Sequence, residues 1–136
     1  MEKIILDANV ITKWFITEEN SDKALSIQKK YIDRKIEIII PSLLYFEVLN
    51  ALKYSNLFNK SELKSVGESL EKYGFTISPI KEEIRDLMIE IAVEYELTIY
   101  DAVYVALGEG MGIPLCTSDE KIVKKLPSRL KKNVMI

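Results

Sequence analysis

Ile4-Ile5-Leu6-Asp7-Ala8-Asn9 is a run of branched aliphatic residues that ends on an acid and then turns polar. Its lack of polar alternation predicts a short strand buried on both faces, as in a parallel sheet. Ile36-Glu37-Ile38-Ile39-Ile40 reads the same way. Residues 75–77, 113–116 and 134–136 supply three more short strands, the last at a sheet edge. Helices are expected between them. Asn9 is the expected cap of a short helix over 10–16. Ser21-Asp22 opens a second, with Ala24, Tyr31 and Ile32 at helical spacing. Pro41-Ser42 starts a third that runs to about 54. Ser61 caps and Gly74 ends a fourth over 61–73. Residues 81–95 carry Ile84, Leu87, Met88, Ile91, Ala92 and Tyr95 on one stripe. A mostly apolar helix over 101–109 ends at Gly110 and Gly112, and a last helix over 119–126 stops at Pro127. Strands alternating with helices predict one three-layer α/β domain over 1–136 with a mostly parallel, five-stranded sheet. Such sheets bind ligands beyond the carboxyl ends of their strands, which directs attention to the residues that follow each strand.

Composition narrows the chemistry. Of 136 residues, 48% are hydrophobic and 29% charged, which excludes a disordered or collagen-like chain and suffices for one core. No apolar run is long enough to span a bilayer, and the first residues lack the cationic flank and cleavage site of a signal peptide. With Cys116 as the single cysteine, these features point to a reducing cytoplasm. There is no histidine, which excludes Ser-His-Asp triads, imidazole acid–base catalysis and Cys/His zinc sites. Hydrolytic chemistry would then rest on carboxylates, Lys, Tyr, Ser/Thr or a metal held by oxygen. The net charge of −2 gives no bulk electrostatic footprint for nucleic acid, so any such binding needs a local basic patch.

Four acids sit in apolar surroundings. Asp7 ends the first strand, Asp119 follows the fourth, Glu47 lies two turns into the helix after the second, and Asp101 opens an apolar helix. Each has an ordinary alternative. Asp101 reads equally well as an N-cap; Thr117 could cap a helix with Glu120 as its capping-box partner; Asp119 could serve the helix dipole; Glu47 could be an exposed helix residue. Asp7 is the hardest to explain structurally, because a buried carboxylate is costly unless something offsets its charge. If the four converge, their repulsion raises their pKa values or calls for a cation. Mg²⁺ or Mn²⁺ suits an all-oxygen donor set.

Together these segments resemble the PIN-domain nucleases, and within them the VapC-type toxins of toxin–antitoxin pairs. The likeness rests on Leu6-Asp7-Ala8-Asn9-Val10, on Pro41 through Glu47 to Leu52, on Tyr100-Asp101-Ala102-Val103-Tyr104, and on Thr117-Ser118-Asp119. The resemblance implies a sheet order 3-2-1-4-5 and Mg²⁺- or Mn²⁺-dependent endonucleolytic cleavage of RNA at an acidic pocket. It makes Asp7, Glu47, Asp101 and Asp119 the acidic set. Asp7 and Asp101 would hold the principal metal, with Asp119 a direct or water-mediated ligand. Glu47 would hold a second ion or orient the attacking water. Asn9 and Thr117 would fix the carboxylates by hydrogen bonds. A cognate antitoxin and a homodimer are implied partners, with Leu57, Phe58 and the helix after them in the region used for such contacts.

For RNA, residues 120–136 hold six cations, including Lys121, Lys124 and Lys132, against the single acid Glu120. Lys13 could face the pocket mouth. Trp14 and Phe15 are expected in core packing or a partner contact, and Cys116 as a buried, unreactive strand residue. The competing reading is a non-catalytic PIN-like module that binds RNA or protein, which the full acidic set disfavours. A receiver-type phosphoacceptor would need paired acids after the first strand, and a haloacid-dehalogenase-type phosphatase a second Asp at position 9, where Asn stands.

Overall fold

The computed structural model describes residues 1–131, 134 and 135. Lys132 of the basic stretch and Ile136 of the expected last strand lie outside the described residues. The sheet comprises β1 (Glu2–Leu6), β2 (Ile36–Ile40), β3 (Thr76–Ile77), β4 (Leu115–Cys116) and β5 (Val134–Met135), in the order β3-β2-β1-β4-β5. Every neighbouring pair is parallel. The α/β class with a parallel sheet is therefore the one expected. β1 is central because it is aliphatic on both faces: Ile4, Ile5 and Leu6 are all buried, as are Ile38, Ile39 and Ile40 of β2.

The helices are α1 (Ala8–Thr12), α2 (Ser21–Ile32), α3 (Leu43–Tyr54), α4 (Lys60–Lys72), α5 (Glu82–Glu94), α6 (Ile99–Met111), α7 (Glu120–Lys125) and α8 (Ser128–Lys131). In α6 every residue from 102 to 108 is buried. A helix apolar all round belongs in the interior, and α6 packs against α5, β1 and β4. In α5 the expected stripe faces inward, with Ile91 and Ala92 buried and Ile84, Leu87, Met88 and Tyr95 packed against the core.

Helix starts differ from expectation. Asp7, not Asn9, holds the N-cap position of α1 and makes no side-chain capping bond, while the Asn9 side chain bonds Asp7, Thr117 and Ser118. Asn59, not Ser61, caps α4 in a reciprocal capping box with Glu62. Thr98 caps α6, which leaves Asp101 inside its first turn. Asp119, not Thr117, caps α7 through Oδ1, which accepts from the backbone N–H groups of Lys121 and Ile122. Gly110 does not end α6; Gly112 does, at φ 66°. β3 and β4 are shorter than expected, and α8 was not anticipated. Trp14 is a packing residue: its indole N–H donates to the Ala24 carbonyl at 2.8 Å and its ring meets Tyr73 edge-on at 5.2 Å.

Candidate active site

Parallel pairing puts the carboxyl ends of β1 and β4 side by side. Leu6 pairs with Cys116, and the Asp7 N–H donates to the Cys116 carbonyl at 3.0 Å. The next residues on each strand therefore meet. The Thr117 hydroxyl donates to Asp7 Oδ2 at 2.8 Å, and Asn9 Nδ2 reaches both Asp7 Oδ2 and Thr117 Oγ1 at 3.3 Å. The Ser118 N–H donates to Asn9 Oδ1 at 3.1 Å, and the Asp119 N–H donates to Thr117 Oγ1 at 3.1 Å. Asn9 and Thr117 thus orient a carboxylate that is only 5% exposed.

Both of those donors are neutral. Burial pushes the Asp7 carboxyl up to about 7; the Thr117 bond opposes this, and the nearby Glu47 and Asp101 add to it. Burial also raises Glu47, with Asp101 contributing, and raises Asp101, with Asp119 contributing. The four acids are coupled in a chain of pairs, Asp7 to Glu47 and Asp101, and Asp101 to Asp119. Among the described residues none of them forms an ion pair with Lys or Arg. The described residues also hold no group of three acids gathered closely enough to cage an ion unaided. An oxygen-only acid set with no ion-paired Lys or Arg among the described residues fits a hard divalent cation that keeps part of its shell for water or phosphate.

Tyr104 was quoted in the sequence only as part of a motif, yet it is fully buried and its hydroxyl donates to Glu47 Oε1 at 2.6 Å. It fixes the direction of Glu47 from inside the core. Sequence offered one signal, a phenol at helical position 104 within an otherwise aliphatic run. Tyr104→Phe keeps the volume and removes the donor. It is expected to cost about 1–2 kcal/mol in urea unfolding near pH 8 and less at pH 4, where a protonated Glu47 needs the donor less. An equal loss at both values would show that Tyr104 contributes only packing.

The cations are placed less uniformly. Lys13 Nζ is paired with Glu18 at 3.2 Å and donates to the Asn9 carbonyl at 3.3 Å, and the side chain is only 12% exposed. Lys121 and Lys124 stand exposed on α7, whereas Lys125 is the cation that acts on Asp101. Cys116 is buried, and burial together with Asp7 raises its thiol to about 11, which leaves it inert.

The family model described as "PIN domain" matches residues 4–126, which include Asp7, Glu47, Asp101 and Asp119. The chain belongs to the PIN domain family. It is 28% identical over 131 residues to Ribonuclease VapC3 of Pyrobaculum aerophilum, covering 93% of this chain and 96% of that protein. It is 27% identical over 96 residues to Exonuclease VapC9 of the same organism, covering 71% and 72% respectively. A toxin–antitoxin complex from Klebsiella pneumoniae has the same fold, with a TM-score of 0.66 at 19% identity over 98% of this chain and 96% of the solved one. Among the described residues no helix is long and apolar enough to cross a membrane.

Proposed function

We propose that this chain is a Mg²⁺- or Mn²⁺-dependent endoribonuclease, the toxin of a toxin–antitoxin pair, working in the cytoplasm as a homodimer restrained by a cognate antitoxin. The observation that carries the reading is the buried Asp7 carboxyl, raised to about 7 beside Glu47 and Asp101, with no Lys or Arg paired to it among the described residues. A structural role does not explain such a group, whereas a metal-holding role does. The names of the relatives support nuclease chemistry, and the Klebsiella complex supports a protein antitoxin.

Asp7 and Asp101 would hold the ion, with Asp119 as a further direct or water-mediated ligand. Asp119 commits Oδ1 to the start of α7, so its other oxygen would face the ion or a water between them. When bound, such an ion would supply positive charge against the phosphodiester and make a bound water a better acid than free water. Thr117 and Asn9 hold the Asp7 carboxylate in place. Glu47, with Oε1 occupied by the Tyr104 hydroxyl, has its other oxygen to accept a proton from the attacking water. Lys121 and Lys124, exposed on α7, would meet phosphates of the substrate.

The test is cleavage of a circular single-stranded RNA, which only an endonuclease can open. Linear product should require Mg²⁺ or Mn²⁺, stop with EDTA, and be absent with Asp101→Asn. Cleavage that survives EDTA, or that is equal in the variant, would overturn the reading. So would a chain that binds Mn²⁺ no better than the variant and cuts nothing; that result would instead favour a binding module.

A further inference from the structure

We infer that Lys13, held by Glu18, is a positioning residue for the acid cluster: it fixes the Asn9 peptide, whose side chain aligns Asp7, Thr117 and the Ser118 N–H. The inference rests on the metal-nuclease reading above and adds two residues to its machinery. α1 is only five residues long. The last carbonyls of any helix lack helical partners, and in so short a helix they are most of it. The Lys13 N–H turns back to the Val10 carbonyl at 3.2 Å, and the Lys13 ammonium donates to the Asn9 carbonyl at 3.3 Å. The same ammonium meets Glu18 Oε1 at 3.2 Å, and the Lys13 side chain is only 12% exposed. A lysine drawn in that far is kept there by its partners.

The other end of the tie is also fixed. Ser21 is buried at the start of α2. Its hydroxyl accepts from the Glu18 N–H at 2.8 Å and donates to the Ile16 carbonyl at 3.2 Å. The Trp14 indole pins the same turn to the Ala24 carbonyl of α2. A bonded path therefore runs from Ser21 through Glu18, Lys13 and Asn9 to Asp7, Thr117 and Ser118. Lys13 also lines a small cavity with Val10, Cys116, Thr117 and Ser118, so it lies against the segment that supplies the partners of Asp7. Two roles for this ammonium have opposite signs. As a bare charge near an acid cluster, it repels a divalent cation, and its removal tightens metal binding. As a tie, it keeps Asp7 where an ion needs it, and its removal loosens metal binding.

Mn²⁺ titration of the full chain, with free Mn²⁺ read by electron paramagnetic resonance, separates the two roles without any turnover. Lys13→Met keeps an apolar stem and removes the ammonium. It should weaken Mn²⁺ binding by about threefold to tenfold, and lower kcat for RNA cleavage with KM little changed. Asn9→Ala should weaken Mn²⁺ binding by about tenfold or more. In that background Lys13→Met should add less than about twofold, because the side chain it positions is gone. Glu18→Ala, at an exposed position, serves if Lys13→Met does not fold. Its loss of Mn²⁺ affinity, about twofold to threefold, should also vanish beside Asn9→Ala, whereas a loss caused by charge alone would persist. Tighter or unchanged Mn²⁺ binding in Lys13→Met, or losses that multiply with Asn9→Ala, overturns the inference. So does unchanged Mn²⁺ affinity with a slope of log K against log salt lower by about 0.7 for a labelled 12-nucleotide RNA, which marks Lys13 as a phosphate contact. Each of these results leaves the nuclease reading standing. A parent chain that binds Mn²⁺ no better than Asp101→Asn and opens no circular RNA removes both readings.

Discussion

Asp7→Asn is expected to stabilise the metal-free protein while lowering RNA cleavage about 10²–10³-fold or more. The two effects have one cause. The folded-state pKa of Asp7 is raised to about 7 from 3.8, so the native chain holds this proton more tightly than the unfolded one. Stability from that group is fully present below pH 4 and is lost as pH rises through 7. About three pK units correspond to about 4 kcal/mol at most, and Glu47 and Asp101 slope in the same direction. Asn has no proton to lose and keeps an acceptor for Thr117. Without divalent ions at pH 8, the variant should exceed the parent by about 2–4 kcal/mol, a rise in Tm on the order of 10 °C. At pH 4 the gap should close. Mn²⁺ should raise the parent and not the variant. Urea unfolding at the two pH values, with and without Mn²⁺, reads all of this. A variant whose stability falls with pH in parallel with the parent would show that Asp7 is not the strained group.

Gly108→Val is expected to be the most disruptive single change away from the acids. Gly108 lies in α6 where the helix crosses β4. A Cβ there would sit 3.0 Å from the Ile113 carbonyl oxygen and 3.6 Å from the Leu115 Cβ. The first neighbour is backbone and cannot swing away. Ala at this position gains up to about 1 kcal/mol of helix propensity, which offsets much of the crowding, so Gly108→Ala should be near neutral. Val adds two branches against β4 and should cost about 3 kcal/mol or more. Gly110→Ala provides the contrast, because its added methyl meets side chains alone: it crowds the rotatable Cδ1 end of Ile84 and touches Leu87 Cδ2 at an ordinary 3.8 Å. Chemical unfolding should place Gly108→Val far below the two alanine variants. A Gly108→Val chain as stable as the parent would mean that α6 shifts freely on the sheet.

Much of this was legible before any coordinates, for identifiable reasons. Unbroken aliphatic runs such as Ile4-Ile5-Leu6 leave no face for water, so strand and burial follow together. Each acid was found by the same logic, as a charge with apolar neighbours. Caps were less legible. Asn9, Ser61 and Thr117 are all competent cap residues, and which competent residue serves depends on what else its side chain can reach. Asn9 is taken by Asp7 and Ser118, across 109 residues in the second case. Asp119 acts on Asp101 and also takes the cap position that the sequence offered to Thr117. Tyr104 was hidden because a helix buried on every side has no periodicity to say which residue faces Glu47.

The bond from Thr117 to Asp7 closes a loop of 110 residues. At 5–20 residues per second, the ribosome needs roughly ten seconds to make that span. Until then β1 has no β4 beside it, and Asp7 lacks both the hydroxyl that orients it and the acid at 119. A nascent chain with the activity proposed here would therefore be harmless to the message that encodes it through most of its own translation. The order of the strands, with the first placed in the middle and a neighbour supplied near the end, would act as a timer on the proposed ribonuclease as it is made among RNA.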